Sequence, residues 1–253
     1  MTETGTAPRA ARRATGWLPA RLVDAWWETQ RARTLVLDVP GWSGHLAGQH
    51  VDVKLTAEDG YSAQRSYSVA STSRAGRLEL TVQRVLRGEV SSYLVDVMEP
   101  GDALELRGPV GGWFVWSPPG DGPVLLVAGG SGVVPLMSML RARGAARDRT
   151  PFRLVYSVRS PDHVFYAHEL HELSSADPAL DVRVVHTRSA PPLDPRGSGR
   201  VTAADLEAAP EARAFVCGPT GFVEAVATLL VGLGHDPSTI RTERFGPTGG
   251  ADE

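Results

Sequence analysis

The sequence holds a single cysteine, Cys217, in 253 residues. One thiol excludes an internal disulfide framework. It also excludes an iron–sulfur cluster held by its usual four cysteines and a cysteine-rich zinc site. A reducing, cytoplasmic setting is the expectation that follows. Long apolar runs are missing as well. The opening residues, "MTETGTAPRAARRATG", are basic and rich in Ala and Thr, and no apolar core of a secretory signal follows Arg12-Arg13. No stretch approaches the length of a membrane span. A large excess of one charge is absent, since the net charge is −3, which argues against nucleic acid as a general partner. There are no internal repeats. Low complexity is confined to residues 1–15, read as a disordered tail.

What is present has two rhythms. The chain is long enough for one large domain or two ordinary ones, and its 42% hydrophobic content suits a buried core. From Leu18 to Leu106, short segments rich in Val, Leu, Thr and aromatics read as strands: "ARLVDAWWET", "TLVLDVP", "HVDVKLT", "RSYSVAS" and "RLELTVQRV". Pro40-Gly41, Asp59-Gly60, Ala75-Gly76 and Pro100-Gly101 punctuate them. Strands at this spacing predict an antiparallel barrel or sandwich, with one helix near Val90–Val97. After Pro118-Pro119-Gly120 the pattern changes. "PVLLVAGG" is a continuous apolar run, as expected of a strand covered on both faces. Helix and strand then alternate: a helix near 133–143, "FRLVYSV", "HVFYAHELHEL", "LDVRVVHT", a helix in "TAADLEAA", "AFVCGP", "GFVEAVATLLVGLG" and "IRTERF". Alternation of this kind predicts parallel strands with crossover helices. The expected organisation is a barrel domain over 16–117 and an α/β domain over 118–253.

Six short motifs carry the chemistry. Arg65-Ser66-Tyr67-Ser68 places a cation, an aromatic ring and hydroxyls on one extended segment, with Arg65 and Tyr67 facing one way and Ser66 the other. Gly88-Glu89-Val90-Ser91-Ser92-Tyr93-Leu94 reads as a glycine and serines at a helix start. Gly108-Pro109-Val110-Gly111-Gly112-Trp113-Phe114 follows the last barrel strand. Gly130-Ser131-Gly132-Val133-Val134-Pro135 sits between a buried strand and a helix, where unpaired N–H groups suit a phosphate. Pro135 stands where the common dinucleotide fingerprint needs its third glycine, and Ser157-Val158-Arg159 replaces the acid expected at the next strand end. Cys217-Gly218-Pro219 ends a strand, and Glu243-Arg244-Phe245 lies near the C-terminus. Taken singly, each also suits an ordinary strand, helix cap or packed core position.

In this order the motifs resemble the ferredoxin–NADP reductase superfamily over residues 17 to 247. The resemblance implies an antiparallel Greek-key, flavin-binding barrel followed by a parallel-sheet nicotinamide-nucleotide domain. It implies that Arg65 pairs with the flavin pyrophosphate, that Tyr67 packs on the flavin, and that Ser68 sits near flavin N5. Val90, Ser91 and Ser92 would bind flavin phosphates. Phe114 would pack at the domain junction, and Trp113 would serve packing or adenine contact. Gly130, Ser131, Gly132, Pro135, Gly218 and Pro219 would hold the nicotinamide nucleotide. Cys217 would lie beside the nicotinamide ring without acting as a covalent nucleophile. Glu243 would order the hydride-transfer site, and Phe245 would cover the ring face, although the chain continues past it through "GPTGGADE".

The implied activity is an FAD-dependent NAD(P)H oxidoreductase that passes electrons to a separate acceptor: a ferredoxin, flavodoxin, haem or metal enzyme, or a small molecule. FAD is favoured over FMN. Arg159 and Arg188 follow the second and third α/β strands and favour NADPH over NADH, which both remain candidates. Arg33, Arg74, Arg77, Arg84, Arg87 and Arg107 could meet an acidic acceptor. Two rival classes stay open: a flavin-binding electron-transfer subunit active only in a larger complex, and a non-catalytic nucleotide-binding module.

Overall fold

A computed structural model describes residues 16–207 and 210–246. The expected disordered tail and most of "GPTGGADE" lie outside the described residues. Six strands form the first sheet: β1 (Leu18–Thr29), β2 (Ala32–Asp38), β3 (His50–Thr56), β4 (Ser62–Ser68), β5 (Arg77–Gln83) and β6 (Ala103–Val110). Their order is β4-β3-β6-β1-β2-β5, with every pair antiparallel. Just past β4, Val69 bridges to Leu80 and Ala70 N–H donates to the Glu79 carbonyl at 2.8 Å. That pairing brings the two edge strands together, so the sheet closes into a barrel. Alternation does the rest. Leu22, Leu35, Leu37, Val51, Val53, Leu78, Leu80 and Leu106 all point into one fully buried core. The expected helix appears as α1 (Glu89–Ser92), continued by a π-turn over Tyr93–Val97.

The second sheet is wholly parallel. Its strands are β7 (Val124–Gly129), β8 (Phe152–Val158), β9 (Leu180–His186), β10 (Arg213–Pro219) and β11 (Ile240–Phe245), in the order β11-β10-β7-β8-β9. The helices are α2 (Val133–Ala145), α3 (Ala167–Ala176) and α4 (Thr220–Gly232). Each residue of β7 is buried, which its unbroken apolar run requires. Even-numbered positions of β7 join a core with residues of α2 and α3, while odd-numbered ones join a separate core with α4. So the sheet is covered on both faces. The helix expected in "TAADLEAA" is a correction: among its described residues, 202–207, the helical turn is a 3₁₀ one over Ala203–Asp205. Asp205 spends both oxygens on the Arg196 guanidinium at 2.7 Å and caps Thr202 N–H at 2.8 Å. Those bonds hold the segment as an anchored turn rather than a continuing helix.

The chain leaves β7 towards β8 on one side and returns to β10 on the other. Strand order therefore reverses between β7 and β10. In open α/β sheets the crevice at that reversal, beyond the carboxyl ends of the strands, is where ligands bind.

Candidate functional site

Three glycines of the crevice are there because the two strand ends touch. A Cβ on Gly132 would lie 2.2 Å from the Cys217 carbonyl oxygen. One on Gly129 or on Gly218 would lie 2.7 Å from the Phe222 ring. Close packing of chain on chain thus explains these glycines. Gly130 differs: its φ of +55° suits glycine, and its Cβ direction meets nothing within 4 Å. It is the glycine of this loop that faces open space. The Gly130–Gly132 turn leads straight into α2, with Pro135 in the first helical turn, where a missing N–H is cheap. Across the crevice, the Thr220 hydroxyl at the start of α4 is buried without a hydrogen-bond partner among the described residues. Unfilled polar capacity and helix N-termini on both sides suit a phosphate-bearing ligand.

At the outer end of the sheet, Arg159 and Arg188 follow β8 and β9. The Arg188 N–H donates to the Arg159 carbonyl at 2.9 Å. Both side chains are exposed, and neither forms an ion pair among the described residues. The fold thus brings the backbones of two exposed arginines, 29 residues apart in sequence, into contact at one strand end.

On the barrel, β4 pairs Tyr67 with Val51 and Arg65 with Val53, so both share the inward register. Tyr67 packs against the barrel core, and burial pushes its phenol up to about 12. Arg65 stays exposed and, among the described residues, its guanidinium bonds the carbonyl of Gln64, at 2.6 Å. The Tyr61 hydroxyl donates to Glu89 at 3.0 Å, tying the start of β4 to the start of α1. In α1, Val90 and Ser91 are buried and Ser92 is half-buried. The Ser91 hydroxyl is committed to its own loop. It donates to the Gly88 carbonyl at 3.2 Å and accepts from Val85 N–H at 3.1 Å. That leaves the first backbone N–H groups of α1, rather than this hydroxyl, to meet an anion.

Ser68 ends β4, opposite His50 on β3. On the far side, Cys217 of β10 pairs in register with Glu243 of β11. The two domains meet between these pairs: His50 Nδ1 lies 3.7 Å from Glu243 Oε1. Glu243 Oε2 is buried with no hydrogen-bond partner among the described residues. Burial raises the Glu243 carboxyl to about 7. Burial also lowers the His50 imidazole, with Asp52 opposing. The Cys217 thiol is pushed up, first by burial and then by Glu243, so it is a protonated, inert group. Phe245, two residues on, packs into the junction core with Phe114 and Phe215, which meet edge to face at 5.4 Å. Trp113 is exposed, with Arg241 at 5.2 Å from its ring.

Of the sequence candidates, the fold brings Ser68, Cys217 and Glu243 to one place, with Gly130–Gly132 and Pro219 around it. Arg65 and α1 form a second cluster on the barrel, and Arg159 with Arg188 a third. His50 had no motif to mark it. The six candidate docking arginines divide. Arg33 is buried under Trp27 and bonded to the Met98 carbonyl, Arg84 pairs with Asp96, and Arg107 pairs with Asp52. Arg74, Arg77 and Arg87 remain exposed.

Comparison with known proteins agrees with this geometry. Residues 20–115 match the model described as "Oxidoreductase FAD-binding domain", and residues 126–228 match "Oxidoreductase NAD-binding domain". The chain belongs to the ferredoxin–NADP reductase superfamily. Its relatives include the "Glycine betaine monooxygenase reductase subunit" of Pseudomonas aeruginosa, 33% identical over 236 residues, covering 90% of this chain and 64% of that protein. A Ralstonia reductase component of naphthalene 1,2-dioxygenase/salicylate 5-hydroxylase systems is 32% identical over 205 residues, covering 80% and 61%. The chain thus spans less than two thirds of these curated relatives. Among solved structures, the Amycolatopsis cytochrome P450 reductase is 27% identical with a TM-score of 0.80, covering 92% of this chain and 71% of that one. As in other members of the superfamily, the barrel is the FAD side and the parallel sheet the nicotinamide side. FAD, with NAD(P)H as the second nucleotide, matches the expectation from sequence.

Proposed function

We propose that the protein oxidises a reduced nicotinamide nucleotide at the junction of its two domains and passes the electrons, one at a time, to a separate acceptor. The observation that carries this reading is the convergence of Ser68 on the barrel with Cys217 and Glu243 on the sheet, beside the crevice where strand order reverses. Bound FAD supplies the hydride-accepting ring and the ability to split two electrons into single ones. The chain supplies placement. Arg65 and the first free N–H groups of α1, including those of Val90 and Ser91, would hold the pyrophosphate by charge-assisted bonds, whereas the Ser92 N–H is already spent on the Gly88 carbonyl at 2.9 Å. Tyr67 and Phe245 would offer aromatic faces to the bound flavin, and the Ser68 hydroxyl would be available to donate to its reacting edge. Gly130, Ser131, Gly132 and Pro135 receive the dinucleotide phosphates, while Gly218 and Pro219 border the nicotinamide beside Cys217. Glu243 orders the transfer site. Holding two rings in near-attack geometry is worth much of the barrier in reactions of this kind.

The unpaired Arg159 and Arg188 favour NADPH, whose 2′-phosphate matches a guanidinium pair. The names of the relatives, reductase components of monooxygenase and dioxygenase systems, favour an oxygenase or its ferredoxin as acceptor. Exposed Arg74, Arg77 and Arg87 suit an acidic docking face on that acceptor.

The test is anaerobic stopped-flow reduction with NADH and NADPH in parallel. The purified protein is expected to be yellow and to bleach with either nucleotide, faster with NADPH. Arg65→Ala should lose FAD on dilution, and Arg159→Ala should raise the KM for NADPH while sparing NADH. A colourless protein that takes up no FAD would overturn the reading. Bleaching that needs an added partner would move it to the subunit class.

A further inference from the structure

Trp113 is 62% exposed, yet its backbone and ring are both held. Its loop is pinned from both domains. Gln49 Nε2 of the barrel donates to the Gly111 carbonyl at 2.6 Å. Arg241 of β11 donates to the Trp113 carbonyl at 3.0 Å and to the Val115 carbonyl at 2.8 Å. The same guanidinium lies 5.2 Å from the Trp113 ring and 5.5 Å from the buried Phe215 ring. Phe114, the next residue, is buried in the junction core, which turns Trp113 outward. Gly112 is exposed, and its Cβ direction meets nothing within 4 Å, so the chain does not shield the ring on that side. A fixed, open tryptophan over an arginine has the composition of an interface anchor, and its ordering cost is already met before a partner arrives.

Position gives this corner its meaning. Ser68, His50 and Val110 form one row across β4, β3 and β6. At ordinary strand spacing the row spans about 10 Å. The loop begins at the residue after Val110. Arg65 and α1 lie on the β4 side of that row. Trp113 therefore stands towards the reacting end of the site and not towards its phosphate end.

The charge is one-sided. Arg241 spends its donors on carbonyls and forms no ion pair among the described residues. Arg213 pairs with Asp121 at 2.7 Å. Burial and then Arg213 disfavour the Arg241 charge, with Asp121 opposing, so the three groups share one field. Two guanidinium groups against one carboxylate leave the corner positive. That argues for an acidic partner. It argues against a second copy, because a two-fold contact here would set the cations against their own kind.

Resting on the proposed oxidation of NAD(P)H, we propose that a small, acidic, one-electron redox protein docks on Trp113, Arg241 and Arg213. The docking face then centres on this corner and not on Arg74 and Arg77 near the start of β5.

The experiment uses the FAD-loaded full chain and two acidic [2Fe–2S] ferredoxins as probes, one Rieske-type and one plant-type, with ferricyanide as the small-molecule control. Trp113→Ala should raise the KM for a ferredoxin about 10-fold or more. Flavin reduction by NADPH, ferricyanide turnover and FAD content should stay within about twofold. Trp113→Phe should recover most of the loss. Asp121→Asn removes a carboxylate from the corner, and should lower the same KM about twofold at low salt, a gain that disappears at about 0.5 M salt. Without turnover, the Trp113 indole N–H signal should shift in NMR when oxidised ferredoxin is added.

An unchanged ferredoxin KM in Trp113→Ala would overturn the proposal. So would an equal loss with ferricyanide, which means a structural role, or a loss of FAD, which means an adenine contact. A larger effect of Arg74→Glu or Arg77→Glu would move docking elsewhere and overturn it. Self-association of the wild type that Trp113→Ala abolishes would give the face to a second copy and overturn it as well. A wild type that NADPH bleaches and ferricyanide reoxidises, but that reduces neither ferredoxin, would overturn the docking face alone. A wild type that neither nucleotide bleaches would overturn the parent reading, while a Trp113 shift on mixing would still support the face.

Discussion

At the scale of single residues, Glu243 sets the sign of a pH effect. Its carboxyl titrates near 4.5 in an unstructured chain and is raised to about 7 by burial. Below about pH 4.5 both folded and unfolded chains hold the proton. Between there and pH 7 the unfolded chain releases it and the folded one keeps it, so stability falls as pH rises, and the loss levels off above 7. The full linkage is at most about 3 kcal/mol, lessened by partial exposure to water. Glu243→Gln removes it. In urea unfolding, the variant is expected to match wild type near pH 5 and to exceed it by about 1–3 kcal/mol at pH 8. Parallel pH curves for the two proteins would refute the burial argument. Glu243 was legible in the sequence as part of an acidic-then-aromatic ending, and Ser68 as part of an Arg-x-Tyr-Ser stretch. His50 was not, because a histidine at a strand start has no local signature. Its meaning comes from Glu243, 193 residues away and in the other domain.

At the scale of elements, period and punctuation located the strands and the main helices. β7 announced itself by being apolar throughout, and α2 and α4 by length and by the glycines before them. The meaning of those glycines was less legible. Read from sequence, Gly132 opens space for a ligand. In the fold it has φ −62° and ψ −10°, a conformation any residue adopts. Its requirement is steric, since the Cys217 carbonyl fills the space a side chain would need. A local sequence cannot show which distant carbonyl will lie against it. Gly132→Ala should therefore push the loop away from β10 and destabilise the protein by about 1–3 kcal/mol through overpacking. Because the loop and Cys217–Pro219 form one crevice, the KM for the nucleotide should rise while FAD content holds. Loss of FAD with an unchanged KM would contradict this placement. The Ala203–Asp205 turn failed as a helix for a related reason. Its propensity was helical, but Asp205 is bound by Arg196 from the preceding loop, and tertiary bonds outweigh weak propensity.

At the scale of the whole molecule, hydride transfer requires two domains held in one arrangement, and contacts remote from the crevice provide it. Arg141 of α2 forks onto Glu169 at 2.8 and 2.7 Å, reaches Glu79 of the barrel at 2.8 Å, and donates to the Ala70 carbonyl at 3.0 Å. The Tyr166 ring lies 5.2 Å from its guanidinium. The Tyr166 hydroxyl donates to Thr81, and the Tyr166 N–H donates to Glu28 at 2.9 Å. Gly48 N–H donates to the buried Ser138 hydroxyl at 2.8 Å, and its own Cβ direction is blocked by the Phe114 carbonyl at 2.1 Å. None of this was legible from motifs, since each bond joins segments tens of residues apart. Arg141→Met keeps the stem and deletes the fork, leaving Glu79 and Glu169 facing each other unpaired. Breaking such a part-buried pair costs about 2–4 kcal/mol. The barrel and the nucleotide domain should then melt in two calorimetric steps instead of one. Hydride transfer should slow as well, although Arg141 touches neither nucleotide, because small misplacements of reacting rings are expensive. If the variant melts in one step at the wild-type midpoint while hydride transfer is unaffected, the junction is held by its apolar core alone, through Phe114, Trp116 and Met139. Loss confined to hydride transfer, with a single melting step, would instead mean that Arg141 aligns domains already bound by that core.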